Sequence, residues 1–177
     1  MSRSPYFYVE RFNEKTNQYE LEHPFVWNYK RTERIPADLF PYNGCHDLFS
    51  IVEKNGIGND FPEMNGIHHG LPDDACPEIK TFYDNCCYEY EVGKIESRMF
   101  LPTARWFTYA DMYIYWLKNP EVLDYEAMDS EDYINKKITT SNPIKLLKDR
   151  VDAFLEVTDG WDWENDYSLI RIVYWIN

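Results

Sequence analysis

The sequence predicts an α+β fold, a mostly antiparallel sheet packed on several helices, from three observations. Tyr6 to Phe12 alternates aromatic and polar residues, the two-residue period of a half-buried strand. Ser168 to Ile176 is a nearly continuous β-branched and aromatic run, the pattern of a strand covered on both faces. Between them, Thr108 and Asp111 stand three residues apart ahead of an apolar stripe, the signature of a capped amphipathic helix.

The alternation that starts at Tyr6 resumes at Tyr19 after the polar stretch Asn13 to Gln18, so the chain opens with a β-hairpin. Pro24, Pro36 and Pro41 then break the pattern, leaving a short extended piece and irregular chain. Asn43 and Gly44 open a short helix with Leu48, Ile51 and Val52 on one face, closed by Asn55 and Gly56. Gly58 to Asp74 lacks apolar periodicity and reads as a long loop carrying His68 and His69. Helical spacing returns from Pro77 to Tyr90, with Ile79, Phe82, Cys86 and Tyr90 on one side. The capped helix shows Tyr109, Met112, Tyr113, Trp116 and Leu117 as its stripe and stops at Asn119 and Pro120. Glu121 to Ile138 is acidic and weakly periodic. Asn142 caps a last helix with Pro143 at its first position, Ile144, Leu147, Val151, Phe154 and Leu155 inward, and the pairs Lys145/Asp149 and Lys148/Asp152 on the exposed side.

A chain of 177 residues without repeats or low-complexity linkers is expected to form one domain, 1–177. Its 18% aromatic content excludes an intrinsically disordered acidic protein. No apolar stretch approaches the roughly 20 residues of a membrane-spanning helix, and the opening residues do not form a signal-peptide core, so the chain is read as cytoplasmic and unprocessed. The formal net charge of -13 repels phosphates and anionic lipids, which argues against direct nucleic-acid and membrane partners. Cys45, Cys76, Cys86 and Cys87 include an adjacent pair inside a helix, poor geometry for a disulfide framework, and are read as reduced thiols. Their spacing relative to His46, His68 and His69 matches no familiar zinc pattern, so no metal and no cofactor is expected.

No phosphate-binding Gly-rich loop, His-Glu-x-x-His, nucleophile elbow or dinucleotide fingerprint occurs, which lowers the expectation of an ordinary metabolic enzyme. His46 adjoins Asp47, but neighbours on a helix point apart and form no dyad by adjacency alone. His68 and His69 offer imidazoles to phosphate oxygens, or else are solvated turn residues. Arg105 and Trp106 stand at the entrance of the capped helix, where a guanidinium and a stacking ring would receive a nucleobase and phosphate; the structural alternative is a Trp anchoring the helix. Arg171 interrupts the last strand, and a guanidinium there needs a carboxylate, carbonyls or an anionic ligand, with an internal ion pair as the commoner solution.

The segments Tyr8-Val9-Glu10, Asn43-Gly44-Cys45-His46-Asp47-Leu48-Phe49, Gly70-Leu71-Pro72, Trp106-Phe107-Thr108-Tyr109-Ala110-Asp111-Met112 and Arg171-Ile172-Val173-Tyr174-Trp175, in this order, resemble a widespread family of small, uncharacterised bacteriophage-encoded proteins. Relatives usually open with Cys-Asp-Ile-His where this chain has Arg3-Ser4-Pro5-Tyr6, and carry a His-Ser-rich segment in place of Leu101-Pro102-Thr103-Ala104-Arg105. Both departures remove polar chemistry and favour binding over turnover. The resemblance implies a counter-defence protein of the host cytosol that sequesters a small nucleotide-type immune signal. In a chain of net charge -13 an anion is expected only where donors locally outweigh the background, which gives His68, His69, Arg105, Trp106, Arg171, His46 and Asn43 as the expected ligand-binding set. A homodimer sharing the site across a two-fold axis fits the same expectation. One alternative is an acidic, nucleic-acid-mimicking inhibitor of a host nuclease or CRISPR-type effector, acting through Glu121, Asp124, Glu126, Asp129, Glu131 and Asp132 or the cluster around Asp159. The other is a nucleotide hydrolase using His46, His68 or His69.

Overall fold

The computed structural model describes residues 5–22, 25–27, 34–36, 51–52, 62–93, 103–123, 138–155 and 169–176. Strands β1 (Pro5–Asn13) and β2 (Gln18–Leu21) form the opening hairpin, and Asn17 takes the positive φ of 54° that its turn requires. Strands β3 (Phe25–Trp27) and β4 (Arg34–Pro36) pair with each other in a separate two-stranded ribbon. The principal sheet has five strands in the order β2-β1-β9-β6-β5, where β5 is His68–His69, β6 is Arg105–Thr108 and β9 is Ile170–Ile176. Every neighbouring pair in it is antiparallel. Strands β7 (Glu121–Leu123) and β8 (Thr139–Ser141) make a second small ribbon. With helices α1 (Pro77–Gly93), α2 (Tyr109–Lys118) and α3 (Ile144–Leu155), the fold is α+β as expected.

The last strand lies at the centre of the sheet, paired with β1 from Ile170 opposite Arg11 to Ile176 opposite Pro5 and with β6 on its other side. Its continuous apolar sequence follows from helices on both faces. Ile170, Ile172 and Tyr174 join Phe7, Val9 and Phe107 against α2, α3 and the helical residues Ile51 and Val52. Val173 and Trp175 join Tyr8 on the opposite face, against Ile79, Phe82 and Tyr83 of α1. The alternation is visible in the ring contacts: Phe7 stacks on Tyr174 with centroids 5.2 Å apart, and Tyr8 stacks on Trp175 at 4.9 Å on the other side.

The capping box of α2 is formed as the sequence predicts: Thr108 Oγ1 accepts from the Asp111 amide at 3.1 Å, and Asp111 Oδ2 accepts from the Thr108 amide at 3.0 Å. At α3, Asn142 Oδ1 accepts from the Ile144 amide while its Nδ2 donates to the Asn119 carbonyl. That second bond ties the end of α2 to the start of α3. The phenol of Tyr109 in turn donates to Asp152 near the far end of α3, so the two helices run antiparallel.

Five local expectations are revised. His68 and His69 are a short edge strand rather than loop, and Arg105 to Thr108, which does lead directly into α2, is itself a strand, because both segments extend the ladder on the β6 side of β9. In α2 the buried set is Tyr109, Met112 and Tyr115, while Leu117 is exposed; contact with both the sheet and α3 widens the buried arc beyond one stripe. The pair Lys148/Asp152 is partly buried rather than solvated, with Lys148 Nζ 4.8 Å from the Trp116 ring centre. The acidic interval gains a ribbon at its two ends, since Glu121 pairs with Ser141 across it.

Candidate functional site

The α1 face of the sheet carries a row of side chains whose chemistry differs from the predominantly apolar face behind it. Strand alternation places Tyr8 and Glu10 of β1, Arg171 and Val173 of β9, Trp106 of β6 and His68 of β5 on this one face. Arg171 stands directly opposite Glu10, and Trp106 directly opposite both Val173 and His68.

Glu10 is fully buried, and its two oxygens have separate tasks. Oε2 accepts from Arg171 Nε at 2.5 Å, and Oε1 accepts from the Cys76 backbone amide at 2.6 Å, immediately before α1. The carboxylate therefore answers a buried guanidinium and a helix N-terminus at once, the two partners that make a buried negative charge tolerable. Arg171 has a second carboxylate at Nη1, where Asp74 Oδ1 lies at 2.6 Å. Its Nη2 is buried and has no hydrogen-bond partner among the described residues. The Tyr19 ring covers the guanidinium with its centre 3.5 Å from Cζ, and the Trp106 ring centre lies 5.5 Å away. Burial pushes the Tyr19 phenol above its ordinary range, with Arg171 pulling it the other way. Burial likewise pushes the Cys76 thiol well up, so it is held as the neutral thiol.

Beside this ion cluster, the exposed ring of His68 stacks on half-buried Trp106 with centroids 4.0 Å apart and an interplanar angle of 16°. The face thus offers a flat aromatic surface next to a cation with an unused donor, a combination suited to a planar ring carrying an anionic group.

Of the residues singled out in the sequence, His68, Trp106 and Arg171 come together here. Arg105 and His69 do not: they are cross-strand partners on the opposite face, where Arg105 Nη1 approaches the Val52 carbonyl at 3.5 Å. Adjacent residues on a strand point to opposite sides, so Arg105 and Trp106 cannot serve one cleft once their segment is a strand. Asn43 and His46 lie outside the described residues, as do Cys45, the acidic positions from Asp124 to Asp132 and the cluster around Asp159. Glu121 is described, and its carboxylate accepts from Thr139 Oγ1 at 2.9 Å.

Sequence reasoning missed Glu10, Asp74 and Tyr19. A signal for Glu10 existed. It interrupts the row Tyr6, Tyr8, Phe12 just as Arg171 interrupts the row headed by Val173 and Trp175, and two lone opposite charges in two apolar strand rows imply a cross-strand pair. Asp74 carried no comparable sign in its polar segment. Compared with family models, with curated proteins and with solved structures, the chain finds no match.

Proposed function

We propose that the protein binds a small nucleotide-type ligand on the Trp106 face of its sheet and holds it without turnover, acting as a phage counter-defence protein that sequesters a host immune signal. The observation that carries the reading is the exposed His68 ring stacked on Trp106 beside Arg171, whose Nη2 is an unmatched donor. A nucleobase gains its binding energy from such a stacking surface whatever its sequence identity, and a guanidinium is the side chain best shaped for phosphate oxygens. With a net charge of -13, an anion binds this chain only where local donors outweigh the background. The counter-defence role comes from the family resemblance and the ligand class from the face itself.

The test is calorimetry against a panel of cyclic and ADP-ribose-type nucleotides, followed by chromatographic recovery of each compound with and without divalent metal. One nucleotide class binds and is recovered intact, and Trp106→Ala weakens that binding about tenfold or more. Absence of binding across the panel overturns the proposal, and consumption of a nucleotide replaces it with the hydrolase reading.

A further inference from the structure

Two carboxylates converge on Arg171, and they are not equivalent. Glu10 has no exposed side-chain surface and is fixed at both oxygens by Arg171 and by the Cys76 amide. Asp74 is 68% exposed and meets the guanidinium at Nη1 alone. It belongs to the short turn before α1 in which the Ala75 amide donates to the Pro72 carbonyl at 3.0 Å. Glu10 alone supplies the buried counter-charge that the fold requires, so the contact with Asp74 is an addition to a pair already neutral.

The orphaned Nη2 has a specific origin. A carboxylate usually takes two guanidinium nitrogens with its two oxygens, but Glu10 spends its second oxygen on Cys76. Asp74 contributes one oxygen to Nη1, and Nη2 is left buried without a partner. A buried donor without an acceptor is costly, and an anion that spans both terminal nitrogens removes that cost in a way Asp74 does not.

We infer that Asp74 is a built-in competitor occupying the anion position of the ligand site, displaced when a phosphate or carboxylate group bridges Nη1 and Nη2 of Arg171. This rests on the ligand-binding reading of the Trp106 face and assigns the part of it that receives the ligand's charge. The exchange replaces one anion by another, so the guanidinium carries two negative partners before and after. Displacement begins with rotation of the exposed Asp74 side chain, and the incoming anion must also part the cover over buried Nη2, to which the Tyr19 ring contributes. The contact with Asp74 thus sets a threshold: ligands whose anionic group engages a single nitrogen gain nothing over Asp74, and those that engage two are selected.

The experiment uses inorganic phosphate and adenosine monophosphate as probes on the full chain, Asp74→Asn and Asp73→Asn, with dissociation constants from thermal-shift titrations against chloride at matched ionic strength. Asp73→Asn removes the same charge one position away and controls for general electrostatics. Asp74→Asn binds phosphate more tightly than both other proteins, by up to about fivefold, the range of a partly exposed ion pair. Equal gains in the two variants, no gain in Asp74→Asn, or no phosphate binding by any of the three overturns the inference. Nucleotide binding that is unaffected by Asp74→Asn refutes the competitor while leaving the stacking site intact. Equal gains for phosphate and adenosine monophosphate in Asp74→Asn, with the nucleotide bound no more tightly than phosphate, support the anion position and remove the nucleobase part of the reading.

Discussion

Glu10 and Arg171, 161 residues apart in the chain, face each other across the central strand pair and form an ion pair at 2.5 Å with essentially no solvent exposure on either side chain. This pair joins the first strand to the last, and through the Cys76 amide it also anchors the N-terminus of α1.

Removing one member strands the other. Glu10→Ala leaves a buried guanidinium whose remaining carboxylate partner among the described residues is exposed Asp74, and the expected loss is about 3–5 kcal/mol. Replacing both Glu10 and Arg171 by Met is expected to cost much less than Glu10→Ala, because no uncompensated charge remains. Chemical denaturation of both proteins checks the order; a double variant weaker than Glu10→Ala would show that the cluster stabilises by more than mutual neutralisation.

Gly66 and Gly70 both take positive φ, 89° and 90°, but in different surroundings. A Cβ on Gly66 would meet the Asp111 carboxylate at 2.4 Å, whereas one on Gly70 meets nothing within 4 Å. Gly70→Ala therefore costs about 1–2 kcal/mol of backbone strain. Gly66→Ala adds displacement of the carboxylate that completes the α2 capping box, about 1 kcal/mol more. Equal melting shifts for the two variants would contradict the close approach.

The final strand is predicted to be indispensable. Ile172, Val173, Tyr174 and Trp175 are each 0% exposed at the middle of the sheet. Burial of such side chains contributes roughly 1.5–3 kcal/mol apiece, so their sum reaches the whole stability of a typical domain. Deleting Ile172 to Asn177 is expected to abolish cooperative unfolding, read by near-ultraviolet circular dichroism, and a truncated chain that melts near the full-length temperature would contradict the central placement.

Alkaline stability follows from Tyr19 and Tyr115, whose phenols burial raises above the ordinary value of 10.0. An acid with a raised folded pKa binds its proton more tightly when folded, so its stabilisation is complete below pH of about 10 and is lost as pH rises through the folded value. Unfolding free energy should be insensitive to these groups near neutrality and fall above about pH 10. Tyr115→Phe, which loses the hydrogen bond to the Pro62 carbonyl, should flatten that fall; an unchanged slope would contradict it.

Much of this architecture was legible because the local signals and the tertiary structure agree. The hairpin, the Thr108 capping box, the Asn142 cap and the interior last strand are all set by period, capping chemistry or β-branched content, which act within a few residues. His68-His69 and Arg105-Trp106 were not legible, since each is too short to show a period and becomes a strand only by joining the ladder beside β9. That one change of element decided the site. It brought His68 and Trp106 together and turned Arg105 to the other face. Asp74 reaches Arg171 over 97 residues of chain, a relationship that no local spacing records.

Ligand is expected on the face shared by His68, Trp106 and Arg171, and residue-resolved nuclear magnetic resonance during titration with a bound nucleotide reads that face residue by residue. The His68 ring protons, the Trp106 indole N–H and the Arg171 guanidinium signals should shift together and saturably, with Arg105 and the α2 and α3 residues behind the sheet changing far less. Shifts concentrated at Arg105, Tyr113 and Trp116 on the opposite face, or no saturable shift at Trp106, would contradict it.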